Sequence, residues 1–199
     1  MENYPYIPFV PDKKTVMRRM GAHNAGFPLG LEREIDQYLI KARSAFAAMG
    51  RADMYDIRYI GSDSIAFEGH KIESRLLSKL LSGSSQIYLM CAAIRKRDVE
   101  KISIAMENGQ GLIALVFDAY ASEYVDGVLS VMMNRKNEML RRTGQHLTKK
   151  RFSAGYGDLD IRYQKIFYDL LDMETMGVKI NEQFLLIPEK SVIALAGVE

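Results

Sequence analysis

The stretch KKRFSAGYGDLDIRYQKIFYDLLDMETMGVKINEQFLLIPEKSVIAL, Lys149 to Leu195, decides how the rest of the chain is read. It places Arg151 four residues before Gly155 and next to it Tyr156, with the small Ser153 and Ala154 between. That spacing suits a loop that grips a ligand. Arginine offers a planar fork of donors to a carboxylate or phosphate, glycine permits positive φ and close backbone approach, and tyrosine adds a flat ring with a polar tip. The loop feeds a helix that Asp158 or Asp160 can cap, with Ile166/Leu170 and Phe167/Leu171 repeating at i,i+4 to make its apolar face. Gly177 is its expected stop. The apolar runs Val178 to Ile187 and Ser191 to Val198, joined by Pro188-Glu189-Lys190, read as a hairpin.

Working outward, Asn108-Gly-Gln-Gly111 breaks the chain before a long proline-free helical segment, Leu112 to about Arg142, whose broad apolar face includes Leu112, Leu115, Val116, Ala119, Val125 and Val128. Gly109-x-Gly111-x-x-Ala114 has the letters of a dinucleotide fingerprint. It follows a helix rather than a strand, so an interhelical turn is the better reading. Before it, Gln86 to Ala93 is almost wholly apolar and reads as a buried central strand. Tyr55, Ile57 and Tyr59 alternate with polar residues and pair, across Gly61-Ser62-Asp63-Ser64, with a strand from Ile65. Helices are expected from Ile72 to Leu81, over Leu31 to Met49 (Ile35, Leu39, Ala42, Phe46, Met49), after Arg95-Lys-Arg-Asp98, and as a short one capped by Asp12 or Thr15 and closed by Gly21. Ala22 to Gly30 reads as a loop. The prolines in Tyr4 to Pro11 exclude a central strand or helix there, so it should lie extended over the surface.

These elements give an α+β fold: a mixed or antiparallel twisted sheet flanked by helices, one of them long and central. A single domain spanning 1-199 is expected, with an α/β portion over about 1-107 and the long helix, ligand loop and terminal hairpin over about 108-199.

Arg-x-x-x-Gly-Tyr, the "LLD" helix, a glycine, the "VKINEQF" strand and Pro-x-x-Ser-Val, in that order, resemble the activation domain of vitamin-B12-dependent methionine synthase, in a short, free-standing form. The resemblance implies an S-adenosylmethionine site lined by Arg151 and Tyr156, with Gly155 giving backbone approach and Ser153 and Ala154 backbone groups for the adenine. It also implies a helical carboxylate for the amino acid portion, with Glu123 and Asp126 the nearer candidates. The implied role is reactivation: supporting reductive methylation of cob(II)alamin presented in trans by a cobalamin-dependent methionine synthase or another corrinoid protein, with a reductant such as a flavodoxin or ferredoxin. The protein would be an accessory to a methyltransferase in methionine biosynthesis rather than a self-contained enzyme. Two departures from the family are expected: no further ligand tyrosine beyond the last strand, and no Asp-x-His-x-x-Gly cobalamin segment. An interaction subunit of a corrinoid system that no longer binds the ligand is the alternative.

Composition fits ordinary globular statistics: 199 residues, 48% hydrophobic and 26% charged, net charge +2. That balance does not announce a nucleic-acid binder. The basic tract Arg135, Lys136, Arg141, Arg142, His146, Lys149, Lys150 and Arg151 offsets the dipole of the long helix or docks an acidic partner. RNA binding is a lesser alternative, because the tract lacks interleaved aromatic residues. The one cysteine, Cys91, lies in an apolar run and reads as a buried thiol of a reducing compartment. No run approaches a membrane span and Met1-Glu2-Asn3 opens no signal peptide, so a cytoplasmic protein is expected. His23, His70 and His146 are too scattered for a metal site. The methionines, including Met132, Met133, Met173 and Met176, read as core filler.

Overall fold

The structure, a computed structural model, describes residues 1-22 and 27-199. His23 and part of the expected Ala22 to Gly30 loop lie outside the described residues.

The strand expected at Gln86 to Ala93 is β6 (Gln86–Ile94) of a four-stranded sheet in the order β1-β2-β6-β9, formed with β1 (Glu2–Tyr4), β2 (Ala48–Asp56) and β9 (Ser191–Val198). Every pairing is antiparallel. Side chains alternate across a strand, and β6 is apolar on both faces because both are covered. Tyr88, Met90, Ala92 and Ile94 enter one core with helices α1 (Lys13–Arg19), α2 (Leu29–Ala45), α4 (Lys96–Glu107) and α5 (Gly111–Leu140). Ile87, Leu89, Cys91 and Ala93 enter the other, with α3 (Arg75–Leu80), α6 (Gln164–Leu170) and the meander β3 (Tyr59–Ile60), β4 (Ser64–Phe67) and β5 (His70–Glu73). The expected α+β architecture is the observed one. The sheet draws strands from both of the expected portions of the chain.

The 30-residue α5 runs unbroken, with α1, α2 and α4 packed along it. Its approach to β2 is close: a Cβ on Gly50 would stand 2.9 Å from the Met132 sulfur, so the residues Ala48, Gly50 and Ala52 under α5 are small. The Gly109-Gly111 segment is the expected turn, between α4 and α5.

Several boundaries differ from the sequence reading. Helix α2 ends at Ala45 and Met49 belongs to β2; the helical spacing continues by coincidence through Phe46, which faces the core from the connection. Ile72 lies in β5, and α3 begins only after Ser74, whose hydroxyl accepts the Leu77 amide. The opening segment is not wholly superficial: Ile7 is fully buried and its amide donates to the Ala48 carbonyl at 3.0 Å. Asp12 does cap α1.

The expected hairpin of Val178 to Ile187 with Ser191 to Val198 is not formed. The first run folds on itself, β7 (Lys179–Ile180) pairing with β8 (Leu186–Ile187), while β9 pairs with β6. The polar centre of that run explains it: the Asn181 side chain accepts the amides of Gln183 and Leu185 and closes a tight turn. Asp160 caps a 3-10 turn, Ile161–Tyr163, ahead of α6. Asp158 does not cap that helix; its carboxylate reaches α3. Gly177 closes a second 3-10 turn, Met173–Met176, after α6 has already ended.

Candidate functional site

The chain leaving α5 returns along the outer edge of β9. The amides of His146, Thr148 and Phe152 donate to the carbonyls of Glu199, Gly197 and Leu195, each at 2.8 Å, and the Glu199 and Leu195 amides donate back. This short ladder presents Arg151 to α5 and delivers the next residues to open space. Ser153 to Leu159 then curl into a closed turn, with the Gly155 amide on the Leu159 carbonyl, the Tyr156 amide on Ser153 and the Leu159 amide on Tyr156. Gly155 has φ +85, where a side chain is strained and would also crowd Ile161. Tyr156 projects outward, 72% exposed.

Beside this turn runs a groove of about 1070 Å³. Phe152, Ile161, Val192 and Ile193 give it an apolar bed; Leu76, Lys79 and Leu80 of α3 form one wall, and Leu185, Leu186 and Glu189 of the β8-β9 region another. Arg151, Ser153, Ala154, Tyr156 and Asp126 all line it, whereas Glu123 and Gly155 do not. Glu123 instead accepts the Arg19 guanidinium at 2.7 Å. Gln164 lines the groove and donates to the Phe184 carbonyl, fixing the start of α6 against the β7-β8 turn.

Arg151 is turned toward α5. Its guanidinium donates to Ser130 Oγ at 3.1 Å and to the Asp126 carbonyl and carboxylate at 3.2 and 3.4 Å. Asp126 is shared with Arg19 at 3.4 Å. One turn lower, Lys190 reaches Asp118 at 2.6 Å and Ser122 at 3.1 Å. Asp118, Ser122, Asp126 and Ser130 are spaced by four, so they form one polar ridge of α5. Arg151, which lines the groove, and Lys190, between the lining residues Glu189 and Ser191, are therefore both pinned to this ridge. Asp126 was legible as a candidate carboxylate; that the ridge anchors two segments beside the groove was not.

The rest of the basic tract is dispersed. Lys136 pairs with Glu2 at 2.8 Å, His146 approaches Glu199 at 3.4 Å, and Lys149 and Lys150 are exposed. Among the described residues no group of three His, Cys, Asp or Glu side chains could hold a metal ion, and no helix is long and apolar enough to cross a membrane. Cys91 is fully buried, and burial pushes its thiol up to about 12. Met173 is buried, and Met176 places its sulfur 3.7 Å from that of Cys91.

No family model and no curated protein matches the sequence. Solved structures do match. The crystal structure of the MetH reactivation domain bound to AdoHcy aligns with a TM-score of 0.64, covering 90% of this chain and 68% of that one at 15% sequence identity. The chain has the fold of the MetH reactivation domain. Within that fold, the groove residues that sequence reasoning missed include those of α3 (Leu76, Lys79, Leu80), Gln164, Glu189, Ser191 and the apolar bed. Leu76 to Leu80 carry only a helical pattern, and nothing local says which surface they face. Ser191 had a signal in Pro-x-x-Ser-Val; its Oγ is buried with no hydrogen-bond partner among the described residues.

Proposed function

We propose that this protein binds S-adenosylmethionine in the groove beside Tyr156 and serves the reactivation of a cobalamin-dependent methyltransferase partner, as a relative of the methionine synthase activation domain. The observation that carries the reading is the convergence of Arg151, Ser153, Ala154 and Tyr156 on one groove in a chain whose fold is that of a reactivation domain bound to AdoHcy. AdoHcy is S-adenosylmethionine without its transferable methyl group.

The residues present suit that ligand. A volume near 1070 Å³ accommodates a nucleoside with an amino acid tail, at the upper end of ordinary small-molecule pockets. The Phe152, Val192 and Ile193 bed favours the adenosyl portion, and the exposed Tyr156 ring can cover it. Lys150 and Arg151 offer cations to the carboxylate; Asp126 and Glu189 offer carboxylates to the ammonium or sulfonium. Because Arg151 is already held by Ser130 and Asp126, its first role is to fix the turn, with its remaining N–H groups left for the ligand.

The chemistry asks little else of the chain. The partner's cobalamin, reduced by a one-electron donor such as a flavodoxin or ferredoxin, would supply the acceptor for the methyl group, and the carbon–sulfur bonding pair would stay on sulfur to leave AdoHcy. This protein's share is to hold the sulfonium with its methyl outward, replacing a random collision by an oriented one. The site of action is cytoplasmic.

Isothermal titration tests the reading: S-adenosylmethionine and AdoHcy bind the wild-type protein, and Arg151→Ala weakens both by at least about tenfold through loss of charge-assisted hydrogen bonds. Methyl transfer to a partner's cobalamin, with reductant and S-adenosylmethionine, should require this protein. Failure of the wild-type protein to bind either compound overturns the proposal. The engagement of Arg151 by α5 favours a second reading, an interaction subunit of a corrinoid system with no ligand of its own. In that case neither compound raises the melting temperature.

A further inference from the structure

We infer that Asp158 is a positioning residue that latches the Tyr156 turn to helix α3 and so sets the width of the groove; this rests on the S-adenosylmethionine reading of that groove. The turn bonds mainly to itself, and its tip meets α3 through one carboxylate. Asp158 accepts the Ser74 hydroxyl at 2.5 Å, the Arg75 amide at 2.8 Å and the Leu76 amide at 3.2 Å. These partners lie 82 to 84 residues away in sequence, so the bonds are tertiary and not part of a local cap.

A second contact marks the same seam. Gly157 has φ +58, and a Cβ there would stand 2.6 Å from Leu76 Cδ1, so the backbone of the turn lies directly on the α3 side chain. Leu76 and Tyr156 both line the groove. Asp158 does not itself line the groove, yet it joins the element carrying Tyr156 to the one carrying Leu76, Lys79 and Leu80. With the latch made, Tyr156 is held at a fixed place beside the part of the groove that α3 lines. Without it, the turn's internal hydrogen bonds open more often and the turn is no longer held at a fixed distance from α3. The same bonds from Ser74 and the Leu76 and Arg75 amides hold the carboxyl below the ordinary aspartate range, so the latch is ionised at neutral pH.

A double-mutant cycle decides the matter. Asp158→Ala should raise the S-adenosylmethionine dissociation constant by about tenfold, the usual scale for a lost charge-assisted hydrogen-bond set. In a Tyr156→Ala background the same substitution should change it by less than about twofold, because the ring through which the latch acts is gone. Equal losses in both backgrounds, or no loss in either, overturn the inference. In the absence of ligand, hydrogen exchange at the Gly155 and Leu159 amides should quicken in Asp158→Ala while exchange in β6 is unchanged; unchanged exchange at the turn overturns the latch whatever the ligand does. A wild-type protein that binds no S-adenosylmethionine while Asp158→Ala quickens that exchange leaves the latch standing and removes only the ligand assignment.

Discussion

At the scale of single residues, Gly127 and Gly157 are among the glycines that stand where any side chain would displace a neighbour. A Cβ on Gly127 would overlap the ring of Phe9, which packs on α5 from the extended opening segment. Gly127→Ala should cost about 1-3 kcal/mol, the range for overpacking a filled site, read as a lower urea midpoint with an unchanged slope. Gly157→Ala combines a left-handed backbone with contact on Leu76 and should cost a similar ~1-3 kcal/mol; unlike Gly127→Ala, it should also weaken the ligand. Conformation was legible in the sequence at Gly155, whose φ is positive, and of the residues nominated with it Arg151 and Tyr156 line the groove. Legibility was poor for carboxylates: Glu123 and Asp126 looked equivalent, and both pair with Arg19, but only Asp126 also meets Arg151 and lines the groove.

At the scale of elements, the edge strand β1 is tied down by one carboxylate. Glu2 accepts Lys136 at 2.8 Å and the hydroxyls of Tyr4 and Tyr88 at 2.5 and 3.2 Å. Burial pushes the Glu2 carboxyl up, but the Lys136 ammonium and the two hydroxyls outweigh it, and the group titrates below the ordinary glutamate range. A depressed native value means stability that is fully present above the unfolded value and lost as pH falls through the native one. Urea midpoints measured downward from neutral pH should therefore fall more steeply for the wild-type protein than for Glu2→Gln. Central elements were readable because burial on both faces leaves an unbroken apolar run, as in β6. Short ones were not: β5, β7 and β8 have two to four residues, too few for a period to declare itself, and β9 finds β6 rather than its neighbour in sequence.

At the scale of the whole molecule, ligand and core can be probed together. Saturation at a hundred times the dissociation constant adds about 2.7 kcal/mol to a native state that alone binds the ligand. For a chain of this size that is a rise of roughly 5-10 °C in melting temperature. Cys91 gives an independent reporter, since its thiol is fully buried and pushed up to about 12. Its labelling by a thiol reagent should follow opening of the sheet rather than reagent concentration, and the ligand should slow it. The overall architecture was legible because a long proline-free helix and a two-faced apolar strand leave few ways to cover each other. The groove was not, because it forms among elements as distant in sequence as Leu76, Gln164 and Ser191.

The polar ridge of α5 makes the spacing within that helix matter more than the identity of its residues. Each residue turns an α-helix by about 100°. One residue inserted between Ser122 and Asp126 would leave Lys190 its partners but swing those of Arg151 away by roughly a quarter turn. Lineages of this protein should therefore accept varied side chains along the middle of α5 far more readily than any change in its length.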